Sequence, residues 1–207
     1  MQPIGPLMIE HRLIERLIGL MGQELKRIKD NVAVEPEFAF VDPVFIDTAV
    51  DFIRTYADRC HHGKEEELLF PRLTERGMPT HSGPIQVMLA EHDEGRTLIR
   101  RMKETAEAYA RENREAGKEW SLAAHAYVSL LREHILKENE ILFVMAERLL
   151  SEEDQNELSA AFEDVEKEKL GAGEHERLHA LMEQIKSEIR LSNAAGPAGP
   201  RAAGPLD

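Results

Sequence analysis

Four long stretches of this chain place apolar residues every three or four positions, and each carries a histidine inside its apolar stripe. That spacing matches one face of an α-helix, so each stretch must bury one side against the others. The first runs from about Leu7 to Ile28, with Met8, His11, Ile14, Ile18, Met21, Leu25 and Ile28 in register. The second opens at Asp42-Pro43, where Asp can cap free amides and Pro suits the first helical position. It ends near Arg76, before Gly77 and Pro79, and Pro71 within it predicts a kink or a tighter last turn. The third opens at Ser82-Gly83-Pro84 and turns Ile85, Met88, Leu89, His92, Ile99, Met102 and Ala106 inward. Gly117 and polar neighbours separate it from the fourth, about Glu119 to Leu149, which aligns Tyr127, Leu131, His134, Glu138, Ile141 and Met145. Short connections between long amphipathic helices predict an all-α fold, an up-down-up-down antiparallel four-helix bundle.

The bundle is expected to occupy residues 1–150, with Phe38 and Phe40 in a Pro36 loop covering one end. Ser151-x-x-Asp154 reads as a capping box with Asp in the usual Glu place. It opens a helical extension over residues 151–192, interrupted at Gly171-Ala172-Gly173 and packed on the bundle. Residues 193–207 are rich in Ala, Gly and Pro and read as a flexible tail. Aromatics make up only 5% of the chain, which favours a helical core of Leu, Ile, Met and Ala over a β-sandwich. A net charge of −13 repels phosphate backbones, which argues against nucleic-acid partners, and it attracts metal cations. A single cysteine, Cys60, precludes an intramolecular disulfide. With no signal-like or membrane-spanning stretch evident, the expected setting is soluble and cytoplasmic.

The chemistry concentrates in two His-x-x-x-Glu motifs. In His61-His62-Gly63-Lys64-Glu65-Glu66-Glu67, either His61/Glu65 or His62/Glu66 could point at one metal, because residues four apart share a helix face. The His61 stripe continues through Ala57, Ile53 and Leu68, whereas the His62 stripe runs back through Asp58 and Arg54. That pattern selects His61 and Glu65 as inward and leaves His62, Glu66 and Glu67 at the surface or in support. His134 and Glu138 share the spacing and lie on an apolar face. Two inward carboxylates are costly to bury unless cations compensate them. Imidazole nitrogen with carboxylate oxygen suits iron, manganese or zinc, and a carboxylate can bridge two ions. The candidate ligands are therefore His11, His61, His92 and His134 as terminal groups, with Glu65 and Glu138 as bridges. A weak internal repeat accompanies them in the pairs Glu10-His11, Glu91-His92 and Glu133-His134.

The stretches Glu10 to Ile14, His61 to Glu66, Glu91 to Arg96 and His134 to Asn139 resemble the hemerythrin-like (HHE cation-binding) family across about residues 4–150. The resemblance implies an oxo- or hydroxo-bridged di-iron centre, that is, two Fe ions in a four-helix bundle. Ferritin-like bundles use Glu-x-x-His instead. Two departures from the oxygen carriers stand out. Arg96 occupies the place of a second histidine on the third helix, and Asn139 the place of an aspartate on the last. The site reads as poorer by one histidine, closer to iron-sensing and stress-related members.

The expected function is binding or sensing of a small oxidant, namely oxygen, peroxide or nitric oxide. The alternatives are an enzyme that decomposes peroxide or reduces nitric oxide, and an iron store or donor. Gly95 either leaves room beside the metals or permits close helix packing. Tyr127 reads as a core tyrosine and Cys60 as an inert buried thiol. His81, His125, His175 and His179 read as packing or surface residues.

Overall fold

The computed structural model describes residues 4–34, 43–111, 113–169 and 180. The loop around Pro36, Phe38 and Phe40, the capping role of Asp42, the break at Gly171-Ala172-Gly173, His175, His179 and residues 193–207 lie outside that set. The α-helices are α1 (Ile4–Val34), α2 (Pro43–Phe52), α3 (Phe70–Glu75), α4 (Gly83–Ala110), α5 (Arg114–Lys137), α6 (Phe143–Leu149) and α7 (Glu152–Lys169). Three π-helical segments join them, π1 (Ile53–His62), π2 (Glu65–Leu69) and π3 (Glu138–Leu142). Gly63 and Lys64 are helical too, so α2, π1, π2 and α3 form one rod, and α5, π3 and α6 form another. With α1 and α4 these make the antiparallel four-helix bundle; α1 and α4 each touch both α5 and π1.

The third rod opens as the sequence predicts. Ser82 is extended, Gly83 takes φ +70°, and Pro84 lies in the first turn. The fourth rod starts earlier than expected, and Gly117 is a buried residue inside α5 rather than a separator. A Cβ there would lie 2.9 Å from the Tyr109 ring, so this glycine serves the close approach of α4 and α5.

The π segments correct the inward stripes. Each widened turn adds a residue relative to α-helical spacing and rotates everything beyond it. After π3 the buried residues are Leu142, Phe143 and Ala146, while Ile141 and Met145 are 50% and 37% exposed. After π2 the core takes Leu69, Phe70 and Leu73, and Leu68 is only half-buried. Pro71 falls in the first turn of α3. The turn before it widens instead of tightening, which relieves the clash of its ring with a preceding carbonyl. In α1, Leu7 is buried and Met8 is not.

Two apolar clusters fill the bundle. One is built around Ile14, Ile18, Met21, Phe52, Met102, Trp120 and Val128, the other around Leu7, Leu69, Phe70, Ile85, Leu142 and Phe143. The slab between them is polar and buried, with Glu10, His11, His61, His62, Lys64, Glu65, His92, His134 and Glu138. A folded chain tolerates such a layer only where its groups compensate one another or hold an ion.

The capping box forms. The Ser151 amide donates to Asp154 Oδ2 at 3.0 Å, and the Asp154 amide donates to Ser151 Oγ at 3.1 Å. Asp154 also accepts from Arg72 at 2.5 Å and from Arg76 at 2.7 Å, which fastens α7 to the second rod. Leu158 and Phe162 then enter the core.

Candidate metal centre

The structure brings all six candidate ligands together and adds a seventh residue. Donor atoms of His11, His61, Glu65 and Glu138 lie within 4.8 Å of one another, and so do those of His62, Glu65, His92 and His134. Each carboxylate spans both groups. Glu65 has one oxygen 3.7 Å from His61 Nε2 and the other 3.5 Å from His92 Nε2. Glu138 has one oxygen 3.0 Å from His11 Nε2 and the other 3.3 Å from His134 Nε2.

His62 corrects the stripe argument. It is only 6% exposed and stacks on His92 with ring centroids 3.9 Å apart. The wide winding of π1 turns both His61 and His62 inward, which no α-helical wheel allows. The cluster therefore contains five imidazoles. Arg96, in the third-helix position that holds a histidine in oxygen carriers, donates instead to Asp58 at 2.8 Å and Glu66 at 2.7 Å. His62 fills out the same side of the cluster from the second rod.

Four imidazoles are held from behind through Nδ1. Glu10 pairs with His61 at 2.7 Å, Glu66 with His92 at 2.6 Å, Glu91 with His134 at 3.0 Å, and Asn139 with His11 at 2.9 Å. An acceptor on one ring nitrogen fixes the tautomer and leaves the other free to ligate. Lys64 donates to Glu10 and Lys137 to Glu91. The true repeat is thus His-x-x-Lys-Glu, at His61 to Glu65 and His134 to Glu138, answered by Glu10 and Glu91 on the neighbouring rods. Glu133 is exposed and has no part in it, so one of the three Glu-His pairs in the sequence is incidental. Half-buried Glu66 supports His92, as expected, and Glu67 is exposed. His81 and His125 are exposed and Cys60 is buried, in line with expectation.

Protonation equilibria mark the strain of the metal-free cluster. Burial and the facing Glu138 charge drive the Glu65 carboxyl well above the usual carboxylate range. Burial also pushes Glu138 up, but His134 and His11 outweigh it and hold that carboxyl well below the usual range. Burial and neighbouring imidazoles, His11 for His61 and His92 for His62, keep both rings neutral. For His134 burial is outweighed by Glu138 and Glu91, which raise it to about 9. Among the described residues, His11 Nε2, His61 Nε2, both His62 nitrogens and all four oxygens of Glu65 and Glu138 lack a hydrogen-bond partner. Unsatisfied buried donors and acceptors converging on one slab fit metal cations and little else.

An all-α bundle with a buried histidine–carboxylate slab defines a class of helical cation-binding proteins. The chain belongs to the hemerythrin HHE cation-binding domain family, whose model matches residues 2–146. It is similar to Uncharacterized protein Rv1995 of Mycobacterium tuberculosis (strain ATCC 25618 / H37Rv), 23% identical over 166 residues, covering 80% of this chain and 61% of that one. Uncharacterized protein Mb2018 of Mycobacterium bovis is similar to the same extent, 23% over 166 residues. The Iron-sulfur cluster repair protein YtfE of Escherichia coli O81 (strain ED1a) is 39% identical over 90 residues, 42% of this chain and 40% of that protein. The chain thus spans about three fifths of the length of the mycobacterial relatives it matches. No solved structure matches it. No helix among the described residues is long and apolar enough to cross a membrane.

Proposed function

We propose that this protein holds a non-haem di-iron centre and uses it to bind or sense a small oxidant, namely oxygen, peroxide or nitric oxide. His11 and His61 serve one ion, His92 and His134 the other with His62 beside them, and Glu65 and Glu138 bridge. The observation that carries the reading is the geometry of the two glutamates, each with one oxygen toward each histidine group. A bound iron pair would supply one-electron redox chemistry and Lewis acidity. The chain's own contribution is to fix the imidazoles through Glu10, Glu66, Glu91 and Asn139 and to keep water out of the slab.

A second reading, an iron donor, draws on the similarity to a protein named for iron–sulfur cluster repair. Metal content and the absorption spectrum of protein expressed with iron test the first reading. Two irons per chain, with bands that change on adding oxygen, peroxide or nitric oxide, are the expected result. Rapid, complete loss of iron to a chelator without a response to oxidant favours the donor. Absence of iron, or a single zinc, overturns both. Glu65→Ala and Glu138→Ala are each expected to abolish stoichiometric loading.

A further inference from the structure

A small cavity lies between the second, third and fourth rods, against the metal centre. His62, His92 and His134 form its inner wall, and Gly95, Tyr127 and Leu130 face them. It leaves about 10 Å³ for the centre of a water-sized sphere, room for one molecule of that size. Tyr127 is 1% exposed, and among the described residues its hydroxyl has no hydrogen-bond partner. Buried hydroxyls are nearly always paired, because an unpaired one loses its water without compensation. Phenylalanine would fill the same space without that penalty. Burial and the Asp58 charge push the Tyr127 phenol far up, so it stays a donor at any physiological pH.

Gly95 shows the same feature from the opposite wall. It lies in the middle of α4, where glycine weakens a helix. Packing does not require it, since a Cβ there would meet Tyr127 Cε2 at 3.7 Å and Leu130 Cδ2 at 3.9 Å, both ordinary contacts. What its missing side chain does is keep open the space beside the tyrosine. Arg96, one third exposed, ties Asp58 on the second rod to the third rod at the side of this cavity. Its charge is neutralised there by Asp58 and Glu66.

We propose that this cavity is the binding pocket for an uncharged ligand no larger than a diatomic or hydrogen peroxide, and that the Tyr127 hydroxyl donates a hydrogen bond to it. The assignment rests on the di-iron reading above. The pocket's size excludes bulkier ligands. The hydroxyl favours a ligand that carries partial negative charge on its outer atom.

The test uses nitric oxide on iron-loaded, full-length protein. Tyr127→Phe deletes only the hydroxyl; Gly95→Ala and Gly95→Val narrow the pocket in steps. Iron per chain is expected to match wild type in Tyr127→Phe, while nitric oxide affinity falls roughly ten-fold, the worth of one buried hydrogen bond. The N–O stretching frequency should shift as that bond is lost, a change that a merely structural tyrosine would not cause. Gly95→Val should slow nitric oxide binding about ten-fold or more, and Gly95→Ala less. Unchanged affinity and stretching frequency in an iron-loaded Tyr127→Phe protein would overturn the pocket while leaving the di-iron centre standing. Loss of iron in that variant would make Tyr127 a support of the centre and also overturn the assignment. Wild-type protein without iron would refute the underlying reading, and the pocket with it.

Discussion

Replacing His62 by phenylalanine isolates its role as a ligand. The substitution keeps an aromatic ring stacked against His92, where the imidazole now sits at 3.9 Å, but removes both nitrogens. His62 is one of four residues whose donor atoms converge on the His92/His134 side, so the variant leaves three. Loss of an outer partner of a ligand costs 10- to 100-fold in metal affinity, and loss of the ligand itself costs at least the upper end. About 100-fold corresponds to roughly 2.7 kcal/mol. The assay is iron release to a chelator in excess, followed by absorbance, alongside thermal melting of the metal-free protein. The variant should release one ion of the pair about 100-fold faster than wild type, with the other ion slower to leave. The metal-free melting temperature should hold or rise, since an apolar ring replaces a buried polar one. Release of both ions at the wild-type rate would show that His62 is a buried bystander and refute the reasoning. Glu66→Ala, which frees His92 Nδ1 and strands Arg96, should give the smaller outer-partner effect, about 10-fold.

Further outcomes follow from the electrostatics. In metal-free protein His134 titrates in the folded state at about 9, against about 6.5 unfolded, so its stabilisation is complete below 6.5 and is lost as pH rises through 9. The raised Glu65 carboxyl acts in the same direction, because the unfolded chain ionises first. His61 and His62 are neutral in both states over that window. Calorimetry should therefore show metal-free protein losing on the order of 2–3 kcal/mol between pH 6.5 and 9, with the metal-loaded form nearly flat; a rise would contradict the assignment. Asp154→Ala removes the capping box and both arginine contacts, so α7 should become the first site of proteolysis while the bundle stays folded. Lys64→Ala leaves buried Glu10 without its cation and should destabilise the fold by about 3–5 kcal/mol. It should also speed loss of iron from the His11/His61 side, because Glu10 holds His61.

The four apolar stripes were sufficient to predict the bundle, because helical periodicity is local and each stripe repeats over many turns. They also placed His11, His61, His92 and His134 inward, and the i,i+4 spacing brought in Glu65 and Glu138. The capping box at Ser151 was legible for the same reason, as every partner lies within three residues. What the tertiary structure decided was the phase of the helices beyond the motifs. A π turn changes the hydrogen-bond register without any side-chain signature, so the sequence could not foretell that Ile141 and Met145 would swing outward or that His62 would join His61 inside. It also decided which groups hold the imidazoles. Asn139 meets His11 across 128 positions and Glu10 meets His61 across 51, pairings that exist only once the rods pack. The repeated His-x-x-Lys-Glu was in the chain throughout, but its meaning depends on Glu10 and Glu91 arriving from neighbouring helices, a matter of packing geometry that no local pattern encodes.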